Sequence, residues 1–140
     1  MRHLIMLLAV FAIVVSCKDN VNENEKLSQA EFDANEIIGY YTFKLFDQNG
    51  NVVKQGNFSL QPNNELYSGS WQSTDNDTGN VLCMIEDGEV YVHLNYETLL
   101  PQEYLLVGNP ENSAIKGQWQ FSVEVFSSDG FQGNFEANRQ

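Results

Sequence analysis

Two histidines and two cysteines are all the imidazole and thiol groups that this chain offers. His3 lies in the basic start of the chain, which leaves His93. That residue sits between Val92 and Leu94 in an alternating segment and takes the outward position. Cys83 takes the inward position of its own segment. A Cys–His or Ser–His–Asp arrangement needs its members within hydrogen-bond reach on one face. The opposite faces of His93 and Cys83 exclude it, and His93 reads as a solvent-facing strand residue. No histidine–cysteine spacing suits zinc, and each glycine falls in a strand or a turn rather than in a phosphate loop.

The carboxylates offer slightly more. Asp75-Asn76-Asp77-Thr78-Gly79-Asn80 places oxygen donors at alternate positions before a glycine, as part of a calcium loop does. The terminal bidentate glutamate is missing and no helices flank it, so a polar hairpin loop is the better reading. Glu86, Asp87 and Glu89 crowd one turn and read as a solvated hairpin tip. An acid–base pair needs a shaped site, and nothing here builds one. The expectation is a protein that is not an enzyme and has no metal and no cofactor.

Charge narrows the partners. The 140 residues hold 7 Lys+Arg and 19 Asp+Glu, a net charge of −12. A chain this acidic repels nucleic-acid phosphates and anionic headgroups. No basic stripe offsets that, so no nucleic-acid partner is expected.

The first residues explain the second cysteine. Met1-Arg2-His3 is basic, and Leu4 to Val15 is apolar and uncharged. That run is well short of the roughly 20 residues that span a bilayer. Val14-Val15-Ser16-Cys17 follows. The pattern resembles the lipobox of bacterial lipoproteins, which implies cleavage before Cys17 and lipid on its sulfur. Two or more acyl chains suffice for stable attachment. The resemblance places residues 1–16 as signal peptide and residues 17–26 as a lipidated flexible tether. The implied location is the bacterial cell envelope, on the outer membrane. Lys18-Asp19 partly resembles the surface-export signals of Bacteroidota lipoproteins, with Asn20 where a second acid is usual. Loss of residues 1–16 removes one arginine and no acid, taking the net charge from −12 to −13. Cys83 then stands alone, with no internal disulfide.

Residues 27–140 carry the fold. Leu27 to Glu36 has the marks of one short helix: Ser28 as N-cap, Glu31 completing a capping box, and Leu27 with Phe32 as a staple. Eight strand candidates follow: Tyr40–Phe46, Val53–Gln61, Glu65–Ser73, Val81–Glu86, Glu89–Tyr96, Tyr104–Gly108, Ala114–Val125 and Phe131–Ala137. Asn49-Gly50, Pro62-Asn63-Asn64, Asp75 to Asn80, Asp87-Gly88, Asn109-Pro110 and Asp129-Gly130 read as connectors. None leaves room for a crossover helix, so the sheet is expected to be an antiparallel meander.

Alternation assigns the faces and hairpins assign the register. A two-residue Asp87-Gly88 turn pairs Ile85 with Val90, Cys83 with Val92 and Val81 with Leu94. A two-residue Asn49-Gly50 turn pairs Phe43 with Gly56 and Tyr41 with Phe58. A turn at Asn63-Asn64 pairs Gly56 with Trp71 and Phe58 with Gly69. A three-residue loop, Ser128-Asp129-Gly130, pairs Val125 with Gly133 and Val123 with Phe135, with Gly130 left-handed. Gly-x-aromatic recurs at Gly39-Tyr40-Tyr41, Gly56-Asn57-Phe58, Gly69-Ser70-Trp71, Gly117-Gln118-Trp119 and Gly133-Asn134-Phe135. Glycines beside rings let a small sheet bend sharply and close. The expected fold is all-β, an eight-stranded antiparallel up-and-down barrel. A short helix, Gly39-x-Tyr41 on the first strand and the eight-strand meander resemble the calycin group, the lipocalins and their lipocalin-like bacterial relatives. That resemblance implies a barrel with one open end and an apolar small-molecule ligand.

The inward rings are expected to be Tyr41, Phe43, Phe58, Tyr67, Trp71, Tyr96, Trp119, Phe121, Phe131 and Phe135. They would take much of the space in so small a barrel, so a filled aromatic core competes with a ligand cavity. Tyr41, Phe58, Trp71, Tyr96 and Trp119 are the candidate ligand residues. Outside, Leu82, Met84 and Tyr91 share a face, with Leu99 and Leu100 in the next loop. They are the candidate partner patch, for the N-terminal helix or for an envelope protein. The two functional readings are therefore a lipid-anchored binder of a small apolar ligand and a protein-interaction module with a filled core.

Overall fold

The computed structural model describes residues 37–123 and 130–140. The expected signal peptide, Cys17, the tether and the 27–36 helix lie outside the described residues.

Period-two alternation produces eight strands: β1 Gly39–Asp47, β2 Val52–Asn63, β3 Leu66–Ser73, β4 Thr78–Glu86, β5 Glu89–Tyr96, β6 Gln102–Glu111, β7 Ala114–Val123 and β8 Gly133–Arg139. Each pairs antiparallel with its sequence neighbours, and β8 returns to β1, so the barrel is closed. The β1 burial pattern shows the cause. Tyr41, Phe43 and Leu45 are buried while Thr42 and Lys44 are exposed. Gln55, Asn57, Ser70 and Gln72 continue the polar outside on β2 and β3. A membrane-spanning barrel alternates the other way, apolar outward.

The hairpins test the register in detail. Around Asp87-Gly88 all three expected pairs form, and both turn residues have positive φ, 52° and 83°. That backbone matches the twist of the flanking strands. Tyr41 opposes Phe58 and Phe43 opposes Gly56, also as expected. The turn there differs. Asp47 N–H donates to the Asn51 carbonyl, which leaves a three-residue loop with Gly50 at φ 83°. A register shift between Leu45 and Phe46 offsets the longer loop.

Two registers depart from expectation. The β2–β3 turn lies one residue later, at Asn64-Glu65, with Asn64 at φ 56°. Phe58 therefore opposes Trp71, and Gly56 opposes Ser73. In β7–β8, Trp119 opposes Gly133 and Gly117 opposes Phe135, six positions from the three-residue-loop register. Both displacements are even, so every side chain keeps its expected face. What the turn residues did not weigh is the ring on each strand, because both observed β7–β8 pairs set a large ring against a glycine. Gly130 is left-handed, φ 85°, but Phe131 precedes β8 and is 45 % exposed rather than inward.

Asn109-Pro110 is not a connector. It belongs to β6, and the turn falls at Asn112-Ser113. The last β5–β6 pair is Val90 with Gly108, so Pro110 lies beyond β5, where no ladder bond needs its missing N–H. Thr78 to Asn80 likewise begins β4.

The two barrel ends are unlike. One carries the two-residue turns of β2–β3, β4–β5 and β6–β7. Ile37 is buried there, its carbonyl accepting from the Tyr41 hydroxyl at 2.8 Å. The other, the mouth, carries the connections 48–51, 74–77 and 97–101, the end of β7 and the start of β8.

Candidate functional site

The mouth has an aromatic floor, and glycines set its level. On β3, Trp71 opposes Gly79 of β4, and its indole N–H donates to the Asn95 carbonyl of β5 at 2.9 Å. On β7, Trp119 opposes Gly133 of β8, and its indole N–H donates to the Phe46 carbonyl of β1 at 2.8 Å. A Cβ at Gly79 would lie 1.8 Å from the Asn95 oxygen, and one at Gly133 would lie 1.8 Å from the Phe46 oxygen. Only glycine admits such an approach. Each indole thus crosses a strand that has no side chain there and reaches the strand beyond. The arrangement is repeated four strands apart, and both copies sit at the mouth end.

Above the floor stand three half-buried rings. Tyr104 lies 6.3 Å from Trp71 and 5.9 Å from Trp119 between ring centres, joining the two indoles. Tyr96 meets Trp71 edge-on at 5.0 Å, and Phe121 lies 4.8 Å from Tyr104. Toward the closed end, Trp71 contacts Phe43, Phe43 contacts Phe58, and Phe58 stacks on Tyr41 at 4.9 Å. The rings form one connected series along the interior, with Cys83, Val92, Leu94 and Leu106 buried around it. Such contacts add about 0.5–1.5 kcal/mol per pair beyond burial.

A charged residue also faces the mouth. Lys54 follows the parity of Gly56 and Phe58 and points into the mouth, its side chain 11 % exposed. Its ammonium ion-pairs with Asp77, lies 3.6 Å from Asp75 Oδ2 and sits 5.7 Å from the centre of the Tyr104 ring. β2 and β6 face each other across an eight-stranded barrel, so Lys54 reaches over the mouth from one wall to the other. Tyr96 donates to Asp77 Oδ2 at 3.2 Å. The buried Ser73 hydroxyl accepts from the backbone of Asp75 and Asp77, which shapes the 74–77 loop. The stretch weighed as a calcium loop thus faces an internal cation.

The titration shifts follow from these contacts. Burial lowers the Lys54 pKa, but the Asp77 hydrogen bond and the nearby Tyr104, Asp77 and Asp75 outweigh it, and the net shift is upward. The Lys54 hydrogen bond holds the Asp77 carboxyl below its usual range. Burial, then the Tyr104 hydroxyl, pushes Tyr96 far up. Deeper in the barrel, burial pushes the Cys83 thiol up to about 12, leaving it a small hydrophobe.

Of the five candidate ligand residues, Trp71, Tyr96 and Trp119 meet at the mouth, while Tyr41 and Phe58 belong to the closed half. Sequence reasoning passed over Lys54 and Tyr104, although strand parity points both inward.

The candidate patch also divides. Met84 opposes Tyr91, which opposes Val107, and Leu82, His93 and Leu105 form the next row. All six are half-buried on the outside. His93 Nδ1 lies 2.8 Å from Glu103 Oε2, whose other oxygen accepts from Ser122. A polar row of Asn80, Asn95, Glu103 and Ser122 separates this face from Leu99 and Leu100. Those two leucines are exposed on the mouth rim, Leu99 fully. Beside the outer face, Glu89, Tyr91, Val107, Gln118 and Phe131 line a cleft of about 500 Å³.

Against known proteins, neither a family model nor a curated protein matches this sequence. Solved structures do. A de novo designed fluorescence-activating β-barrel matches with TM-score 0.54 and 18% identity, over 76% of this chain and 96% of that one. A redesigned barrel, mFAP1, bound to DFHBI, matches with TM-score 0.50 and 15% identity, over 75% and 96%. A lipid binding protein of Caenorhabditis elegans, LBP-8, is similar at TM-score 0.41 and 11% identity, over 79% and 100%. What this chain shares with the two designed proteins is the β-barrel fold.

Proposed function

We propose that this chain is a lipid-anchored binding barrel of the bacterial envelope that takes a small apolar ligand at its mouth. The carrying observation is the difference between the ends. One is tied by two-residue turns and filled by Ile37; the other presents half-buried rings over a fixed indole floor. Ligand sites are concave, largely apolar and equipped with a few placed polar groups. Lys54, Asp77 and the Tyr96 hydroxyl are such groups. The similar barrel mFAP1, bound to DFHBI, is one case in which this architecture holds a small molecule. Rings fill the interior toward the closed end here, so the ligand would lie on the indoles. The test is a titration of the full chain with neutral apolar probes, beginning with n-decanol. Trp71 and Trp119 are the protein's two tryptophans, so fluorescence reports on the floor directly. Saturable change, weakened by Phe121→Ala, supports the reading, and its absence for every probe refutes it.

A second reading has its own observation. The outer face of Leu82, Met84, Tyr91, Leu105 and Val107 is a contiguous apolar run across β4, β5 and β6, which suits a protein partner. A photo-cross-linker at Val107 should then capture one discrete partner in intact cells. The same probe at Gln72, on the polar side, should capture none.

A further inference from the structure

We propose that the mouth selects organic ammonium ions, and that Lys54 is the internal occupant such a ligand displaces. This rests on the mouth being the binding site. Around Lys54 Nζ stand the Tyr104 ring, the Asp77 carboxylate and, farther off, the Asp75 carboxylate. Behind them are Tyr96, Trp71 and Trp119. Aromatic faces attract cations through their quadrupoles, and carboxylates add direct charge. This is the environment of a cation site, and the protein's own ammonium fills it.

The charge count gives the sign of the selectivity. Two carboxylates meet one ammonium, so the group is net negative with Lys54 in place. An anionic ligand would meet Asp75 and Asp77 as well as Lys54, and would have to break the Lys54–Asp77 pair to use the lysine. A cationic ligand replaces Lys54 like for like, leaving the lysine free to extend toward solvent. Its apolar body would rest on the indole floor. The ligand class is therefore a small ammonium ion carrying an aromatic or alkyl group. The lysine lowers its apparent affinity by competing for the site.

The experiment uses three probes with one apolar body: benzyltrimethylammonium, benzyl alcohol and phenylacetate. Each is titrated by calorimetry into the full chain and into Lys54→Met, which keeps the stem and removes the charge. In the wild type, benzyltrimethylammonium should bind at least tenfold tighter than phenylacetate. Lys54→Met should tighten it about tenfold more, and adding Asp77→Asn should reverse that gain. Equal or tighter binding of phenylacetate by the wild type overturns the inference. So does a Lys54→Met protein, folded by near-ultraviolet circular dichroism, with no gain for the cation. If Lys54→Met does not fold, the wild-type order of cation against anion decides alone. Benzyl alcohol separates the two levels. If it binds without any preference for the cation, the inference falls and the mouth remains the site; if none of the three binds, both fall.

Discussion

Gly133→Ala probes the floor most directly. Its methyl would sit 1.8 Å from the Phe46 carbonyl oxygen and 3.0 Å from Trp119 Nε1. Carbon–oxygen contacts settle near about 3.3 Å, so β8 and β1 would have to part by roughly 1.5 Å. Overpacking of this kind costs about 1–3 kcal/mol. Parting also breaks the bond from Trp119 Nε1 to Phe46, and a buried donor left unpaired costs about 1–3 kcal/mol more. The sum, about 2–6 kcal/mol, is a large share of the roughly 5–15 kcal/mol that holds a domain together. Gly88→Ala is the control. Nothing lies within 4 Å of its added methyl, and its φ is +83°, so only the left-handed penalty of about 1–2 kcal/mol applies. Equilibrium urea unfolding, followed by tryptophan fluorescence and far-ultraviolet circular dichroism, measures both. A Gly133→Ala midpoint no lower than that of Gly88→Ala, with unchanged m, would refute the account of how the indoles are seated.

Three further outcomes follow from the described contacts. Asp77 has a lowered pKa in the fold, so its pairing stabilises above the unfolded value of about 3.9 and is lost as pH falls through the folded value. Acid unfolding of Asp77→Asn should accordingly lose stability less steeply below pH ~4 than wild type; parallel acid limbs would contradict the stabilising Lys54–Asp77 pair. Cys83, buried with its thiol pushed up to about 12, should resist a thiol reagent at pH 8 and react fully in denaturant. Labelling of native protein at that cysteine would show the core is open. At Cys17, metabolic labelling with a fatty acid should mark wild type and spare Cys17→Ala, and equal labelling would remove the anchor from the proposal.

The sequence carried the fold through its alternation and turns, and left the site half visible. Asp87-Gly88 gave the β4–β5 register outright, because only one turn geometry suits two positive-φ residues between those strands. The β7–β8 register was not legible from Ser128-Asp129-Gly130. A six-position slip preserves every face, and what fixes it is the fit of Trp119 to Gly133 and Phe135 to Gly117, on residues far from the turn. Trp71 shows the same gap: the Asn63-Asn64 turn pairs it with Gly56 of β2, whereas the glycine opposite it is Gly79 of β4. Lys54 was legible by parity with Gly56 and Phe58, but a single strand cannot reveal that Asp77 and Tyr104 receive it. Phe131 read as inward because alternation was carried two residues past the true start of β8.

The repeated indole arrangement separates a fixed floor from a looser rim in this barrel. Trp71 and Trp119 are each fixed twice, by a glycine that admits the ring and by a carbonyl that accepts its N–H. Tyr104 bridges them but is itself only half-buried. The rim above adds side-chain contacts, Tyr96 on Asp77 and Asp77 on Lys54, to the backbone hydrogen bonds that shape the 74–77 loop. The pair is half-sheltered, Lys54 11 % and Asp77 35 % exposed, and holding an inward lysine costs rotamer freedom. A barrel needing only a core would place an apolar residue at position 54, as it does at Phe58 and Leu60. On the proposed function, that charge belongs to ligand selection at the mouth rather than to holding the barrel closed.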